Sequence, residues 1–278
     1  MDIDAGIKSF VFNKDVKIRY QEFGEGDTII FLHGFGGSSY SWRYIYKSFA
    51  KNYKTILIDL KGFGLSDKPN DDKYSVSDQA DIINSFIRAK KLNKIILVGH
   101  SFGGAVVLMT YFKSKMKDEI NKLILIDSGG YNQDIPWYIS TLKIPLLNNL
   151  ALSIMPSRFW VNVVLKMCFY DDSKITEEMI ETYASYLRSP GAHLALIKTT
   201  GQLIPDNIDE ITNNFNKINI PVLLVWGKED KIIPLDIGYK MNKNIPNSKL
   251  IIITECGHNS PEEKPLLVID EISTFLNL

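Results

Sequence analysis

Three side chains that together could form a nucleophilic relay stand at Ser101, Asp230 and His258. A serine hydroxyl is a weak nucleophile until a neighbouring base takes its proton. An imidazole titrating near pH ~6.5 can take that proton and return it at neutral pH. A carboxylate can hold the ring in the required tautomer and stabilise its charged form. The chemistry open to such a set is acyl transfer. The carbonyl oxygen then becomes an alkoxide and needs two preorganised donors.

The serine has the clearest local context. Gly99-His100-Ser101-Phe102-Gly103, followed by Gly104, comes directly after the apolar run IILV and before the helix-like stretch AVVLMTYF. A tight strand-to-helix turn holds its serine in a strained backbone conformation. Side chains two residues to either side would collide, so glycine is needed at both places. The turn lifts Oγ into a cleft and aims the Phe102 amide, at a helix N-terminus, toward a developing oxyanion. The second donor is expected from His33-Gly34-Phe35-Gly36-Gly37, after the run TIIFL, through the amide of Phe35. The acid is read in Trp226-Gly227-Lys228-Glu229-Asp230, where Asp230 ends a strand and Glu229 is its rival. Of the four histidines, His33 is read as bonding its own loop and His100 as pointing away from the nucleophile. His193 falls in a separate segment. His258, beside Gly257 after the run LIIIT, remains as the base.

Strands must position these loops. Val16–Glu22 alternates apolar and polar residues, as a half-buried antiparallel strand does. Thr28–Leu32, Lys54–Ile58, Lys94–Gly99, Lys122–Ile126, Pro221–Trp226 and Lys249–Ile253 are apolar without alternation. That pattern belongs to strands covered by helices on both faces. Helical segments such as Ser75–Lys91 and Phe102–Lys115 lie between them, so a parallel, doubly wound α/β sheet is expected. The rhythm breaks from about Gly130 to about Asn214. No convincing strand lies there, and Trp137, Phe159, Trp160, Phe169, Tyr170, Tyr183 and Tyr186 are concentrated in it. The reading is a core domain of residues 1–129 and 215–278 carrying a helical cap, 130–214. Sites in open α/β sheets form beyond the carboxyl ends of strands, and the insertion leaves one such end. Trp137, Trp160 and Tyr183, with Phe35 and Phe102, are therefore expected to line a substrate pocket.

Composition narrows the partners. The chain has 278 residues with Lys+Arg and Asp+Glu both 32, so no net basic field exists to hold nucleic acid or an anionic membrane. No stretch reaches the roughly 18 apolar residues of a membrane helix, and Met1 to Phe10 lacks the basic start and apolar run of a signal peptide. Two cysteines, Cys168 and Cys256, make no disulfide framework and suit a reducing cytoplasm. The histidines and cysteines show no metal-ligand spacing, and no Walker loop or dinucleotide fingerprint is present, so no cofactor is expected. Gly62-Phe63-Gly64-Leu65-Ser66 runs into Asp67-Lys68-Pro69 and not into a helix, which rejects phosphate binding there. The sequence leaves the oligomeric state open.

Taken together, HGFGG (33–37), DLKGFGLSDKP (59–69), GHSFGG (99–104), WGKEDKIIP (226–234) and GHNSPEEKP (257–265) resemble the α/β-hydrolase superfamily along essentially the whole chain. The order Ser101, Asp230, His258 is the order of that family's triads. The resemblance implies a mostly parallel eight-stranded sheet with a helical cap. Relatives with an aspartate nucleophile, the epoxide hydrolases and haloalkane dehalogenases, are disfavoured by Ser101. Proline iminopeptidases, with HGGPG and GGSWG, fit poorly. Carbon–carbon hydrolases of meta-cleavage type share an ITEE-like helix, here Ile175–Glu178. They usually carry an arginine a few residues on and a tryptophan after the base histidine, where this chain reads Tyr183 and Asn259. A small to medium apolar carboxylic ester is the expected substrate. The alternatives are carbon–carbon cleavage and a non-catalytic small-molecule receptor or signalling protein on the same fold.

Overall fold

The computed structural model describes residues 6–144 and 155–278. Residues 1–5, part of the Met1–Phe10 stretch, and 145–154, within the expected 130–214 cap, lie outside the described residues. Eight strands form one sheet: β1 (Lys8–Phe12), β2 (Val16–Phe23), β3 (Thr28–Leu32), β4 (Lys54–Ile58), β5 (Ile95–His100), β6 (Ile120–Ile126), β7 (Val222–Gly227) and β8 (Ser248–Ile253). Their order is β1-β2-β4-β3-β5-β6-β7-β8. β1 and β2 pair antiparallel, as do β2 and β4, and all later pairings are parallel. β1 has no strong pattern in the sequence because it is an edge strand. Lys8, Ser9 and Val11 face solvent, and only Phe10 and Phe12 are half-buried.

The central strands are apolar along most of their length because helices cover both faces. Along β3, Ile30 and Leu32 join one core while Ile29 and Phe31 join the other. The first face is packed by α1 (Val76–Ala89) and α2 (Phe102–Lys113). Helix α1 is started by a capping box in which Ser75 and Asp78 satisfy each other's backbone amides. Between β6 and β7 the described residues contain no strand. They form α3 (Ser157–Cys168), α4 (Glu177–Leu187) and α5 (Ala192–Thr200), with shorter turns around them. α3 and α4 pack through Leu165, Met179 and Ile180, and Phe169 and Tyr183 close this small core against Tyr40. After β7 come α6 (Leu235–Asn244) and α7 (Pro265–Leu276). α6 lies on the α1/α2 face, and α7 covers the opposite one. No described helix is long and apolar enough to cross a membrane.

The chain switches direction across the sheet at the β3–β5 boundary, since β4 lies on one side of β3 and β5 on the other. Crevices at such switch points, beyond the carboxyl ends of the strands, are where open α/β sheets bind ligands. Leu32 of β3 stands opposite Gly99 of β5 there.

Candidate active site

The turn between β5 and α2 puts Ser101 at φ 54°, ψ −119°, a strained conformation for a side-chain-bearing residue. The flanking glycines are a steric requirement. A Cβ on Gly99 would lie 2.4 Å from Gly103 O, and one on Gly103 would lie 2.2 Å from Leu32 O. The turn is held from behind, because Ser101 N donates to Ile126 O and Gly129 N donates to Ser101 O, both at 3.0 Å.

Two loops, after β7 and β8 at the same carboxyl end of the sheet, meet this serine. His258 Nε2 lies 2.8 Å from Ser101 Oγ, and His258 Nδ1 lies 2.8 Å from Asp230 Oδ2. With Nδ1 donating to the carboxylate, Nε2 is left to accept the serine proton. Asp230 is oriented in turn by the amides of Ile232 and Ile233, which donate to Oδ1 at 2.7 and 2.9 Å. Burial pushes the His258 pKa down, but the Asp230 charge and hydrogen bond, with Asp127 beyond, outweigh it and the net shift is upward. The rival Glu229 turns elsewhere and accepts the Cys256 amide at 3.0 Å.

His33 sits as the sequence suggested. It is buried, donates from Nδ1 to Gly34 O at 2.8 Å, and accepts the Leu60 amide at Nε2 at 3.0 Å. His100 bonds the base loop and not the serine hydroxyl. Its ring lies 4.9 Å from that of His258 and its Nε2 donates to His258 O at 2.8 Å. Burial, and then His258, push its pKa down to about 3, so it stays neutral while tying the base loop to β5.

Asp127 is a group the sequence reading passed over. It ends β6 as Asp230 ends the β7 turn, so the same signal was available. Its Oδ1 accepts the Gly227 amide at 2.7 Å and its Oδ2 accepts the Ser260 hydroxyl at 2.6 Å, joining the acid loop to the base loop. Complete burial, reinforced by Asp230, holds its pKa well above the usual carboxylate range. The base loop is also tied to the end of α3. Asn259 N donates to Cys168 O at 3.2 Å, and Glu263 accepts from the amides of Gly257, Tyr170 and Asp171.

Two pocket lobes meet at Ser101 and share Phe35, Ile139 and Ile232. The smaller, about 100 Å³, is lined by apolar residues including Phe102, Leu108, Met109 and Phe215. The larger, about 200 Å³, contains His258, Trp160, Leu165 and Cys168, and also Ser41, Tyr183, Asn259 and Glu262. Phe35, Phe102, Trp160 and Tyr183 thus line the pocket. Trp137 does not. It is 59% exposed and lines neither lobe, because the one-turn helix Trp137–Ser140 turns Ile139 inward instead. Glu262 and Ser41 were missed because they come from two loops far apart in sequence, with no spacing to link them.

Residues 27–265 match the family model for the alpha/beta hydrolase fold. The chain belongs to that family. This α/β-hydrolase is 31% identical over 263 residues, 92% of each chain, to an uncharacterized hydrolase, YugF, of Bacillus subtilis. It is 28% identical to a 2-hydroxy-6-oxo-6-phenylhexa-2,4-dienoate hydrolase of Comamonas testosteroni, covering 90% of this chain and 87% of that one. Among solved structures, the epoxide hydrolase CorEH superposes with a TM-score of 0.85 at 22% identity, covering 98% of both chains. At that identity the likeness speaks for the fold alone.

Proposed function

We propose that this hydrolase cleaves small to medium apolar carboxylic esters through an acyl-enzyme, with residues 130–214 serving as a cap over the site. Ser101 Oγ attacks the ester carbonyl as His258 takes its proton. The amides of Phe35 and Phe102 receive the oxyanion, and His258 then protonates the departing alcohol. Water repeats the sequence to release the acid. Asp230 keeps the imidazole in the productive tautomer. One observation carries this reading: the unbroken Ser101–His258–Asp230 relay, each link 2.8 Å, at the junction of two apolar-walled lobes.

Carbon–carbon cleavage is the second reading, favoured by the Comamonas relative. The pocket speaks against it. The two positions where such enzymes usually carry arginine and tryptophan hold Tyr183 and Asn259, and both side chains are bonded to the Glu262 carboxylate. An acidic substrate would meet a carboxylate there. A p-nitrophenyl butyrate assay run beside a 2-hydroxy-6-oxo-dienoate assay separates the two. Ester turnover over many cycles also excludes a receptor without catalysis. Ser101→Ala should reduce ester turnover by at least about 10³-fold while leaving the circular dichroism spectrum intact. Retained turnover in that variant would remove Ser101 from the mechanism.

A further inference from the structure

The two lobes differ in a way that assigns the halves of the ester, granted the ester reading above. His258 lines the larger lobe and is absent from the smaller. The base must return its proton to the leaving oxygen, so the alcohol belongs on the His258 side. The acyl group then occupies the smaller lobe against Phe102, Leu108 and Met109. A dry cavity of about 150 Å³ holds benzene, so a lobe of about 100 Å³ suits a short acyl chain of roughly four carbons.

The alcohol lobe is not uniformly apolar. Ser41, Tyr183, Asn259 and Glu262 line it and are only 5, 9, 9 and 5% exposed. The Tyr183 hydroxyl donates to Glu262 Oε2 at 2.9 Å and lies 3.0 Å from Ser41 Oγ. Asn259 Nδ2 donates to the same Glu262 oxygen at 2.6 Å, and Arg43 pairs with the other oxygen. The carboxylate is therefore held in place. With the Tyr183 proton directed at Glu262, Ser41 Oγ keeps acceptor lone pairs. Asn259 commits its Nδ2 to Glu262, and its amide lines the lobe with it. A plain alkyl group pressed against these atoms would strip them of water and return nothing. An anionic group would face Glu262. A neutral group carrying hydroxyls satisfies both constraints.

We propose that the enzyme is built for short-chain monoesters of polyols, with the free hydroxyls of the leaving alcohol read by Ser41, Tyr183 and Asn259. The test uses three butyrates that share a three-carbon alcohol skeleton: glycerol monobutyrate, propyl butyrate and 3-butyryloxypropanoate. Release of butyric acid by the full-length protein is followed in a pH-stat. The expected order of kcat/KM is the glycerol ester first, at least about tenfold over the propyl ester, with the carboxylate last. Tyr183→Phe and Ser41→Ala, each checked for folding by thermal melting, should shrink the glycerol-to-propyl ratio to below about threefold. Met109→Trp, in the other lobe, should shift the acyl-length preference toward acetate and leave that ratio in place. A propyl ester cleaved as well as the glycerol ester by the wild-type protein would overturn the proposal. So would a ratio that survives in both alcohol-lobe variants. Turnover of none of the three would instead sink the ester reading, and this proposal with it.

Discussion

His258 is held between opposing influences, and the balance sets the pH range in which it can act. Desolvation favours the neutral ring, and Asp230 favours the charged one strongly enough to raise the pKa above its ordinary 6.5. The proposed mechanism requires the neutral ring, so kcat/KM should rise with pH through a midpoint above 6.5. Asp127 bears on the same titration. Its own pKa is raised by burial and by Asp230, yet its charge is among the influences that raise His258, so Asp127→Asn should lower that midpoint. An unchanged midpoint would mean that Asp127 carries no charge in the working range and does not support the imidazolium. That Ser101, Asp230 and His258 would meet was legible in the sequence because each lies in its own short motif: GHSFGG, WGKED and GHN. The polar lining of the alcohol lobe was not. Ser41 and Glu262 acquire meaning only when the loop after β3 meets the loop after β8.

The strands declared themselves by composition, because a helix on either face demands an apolar residue at every position. That argument fails at the edge, where Lys8 and Ser9 of β1 are exposed and no such demand exists. The turn that follows β5 leaves no room for an added side chain at either glycine. In Gly103→Ala the new methyl would lie 2.2 Å from Leu32 O and 2.5 Å from His33 O. Either α2 or the loop after β3 must move, so both turnover and melting temperature should fall sharply. Gly201→Ala is the matched control. Its φ is −65° and its nearest neighbour would be 3.6 Å away, so stability should hold or rise by about 0.4–1 kcal/mol. β2 hides a different cost. Gln21 is 3% exposed and neither end of its amide has a partner. Gln21→Met keeps the volume and removes the buried polar atoms, and should stabilise the protein by about 1–3 kcal/mol in a urea titration.

At the scale of the whole molecule, equal numbers of acidic and basic residues and an α/β rhythm broken once were enough to read a sheet with a helical excursion. The sequence could not show how the excursion touches the sheet, since those contacts join backbone amides and a carboxylate from segments far apart in the chain. Asn259 N reaches Cys168 O, and the Glu263 carboxylate bridges Gly257 on one side to Tyr170 and Asp171 on the other. A methyl on Gly257 would lie 2.4 Å from Cys168 O, so the two chains leave no room between them. This corner is a weld and not a hinge. Any breathing that admits an ester must pivot on the far flank, and unravelling α3 must drag the imidazole off the serine. Under rising urea, ester turnover and helical ellipticity should therefore vanish along one curve. Turnover vanishing well ahead of ellipticity would mean that the weld is the first thing to give.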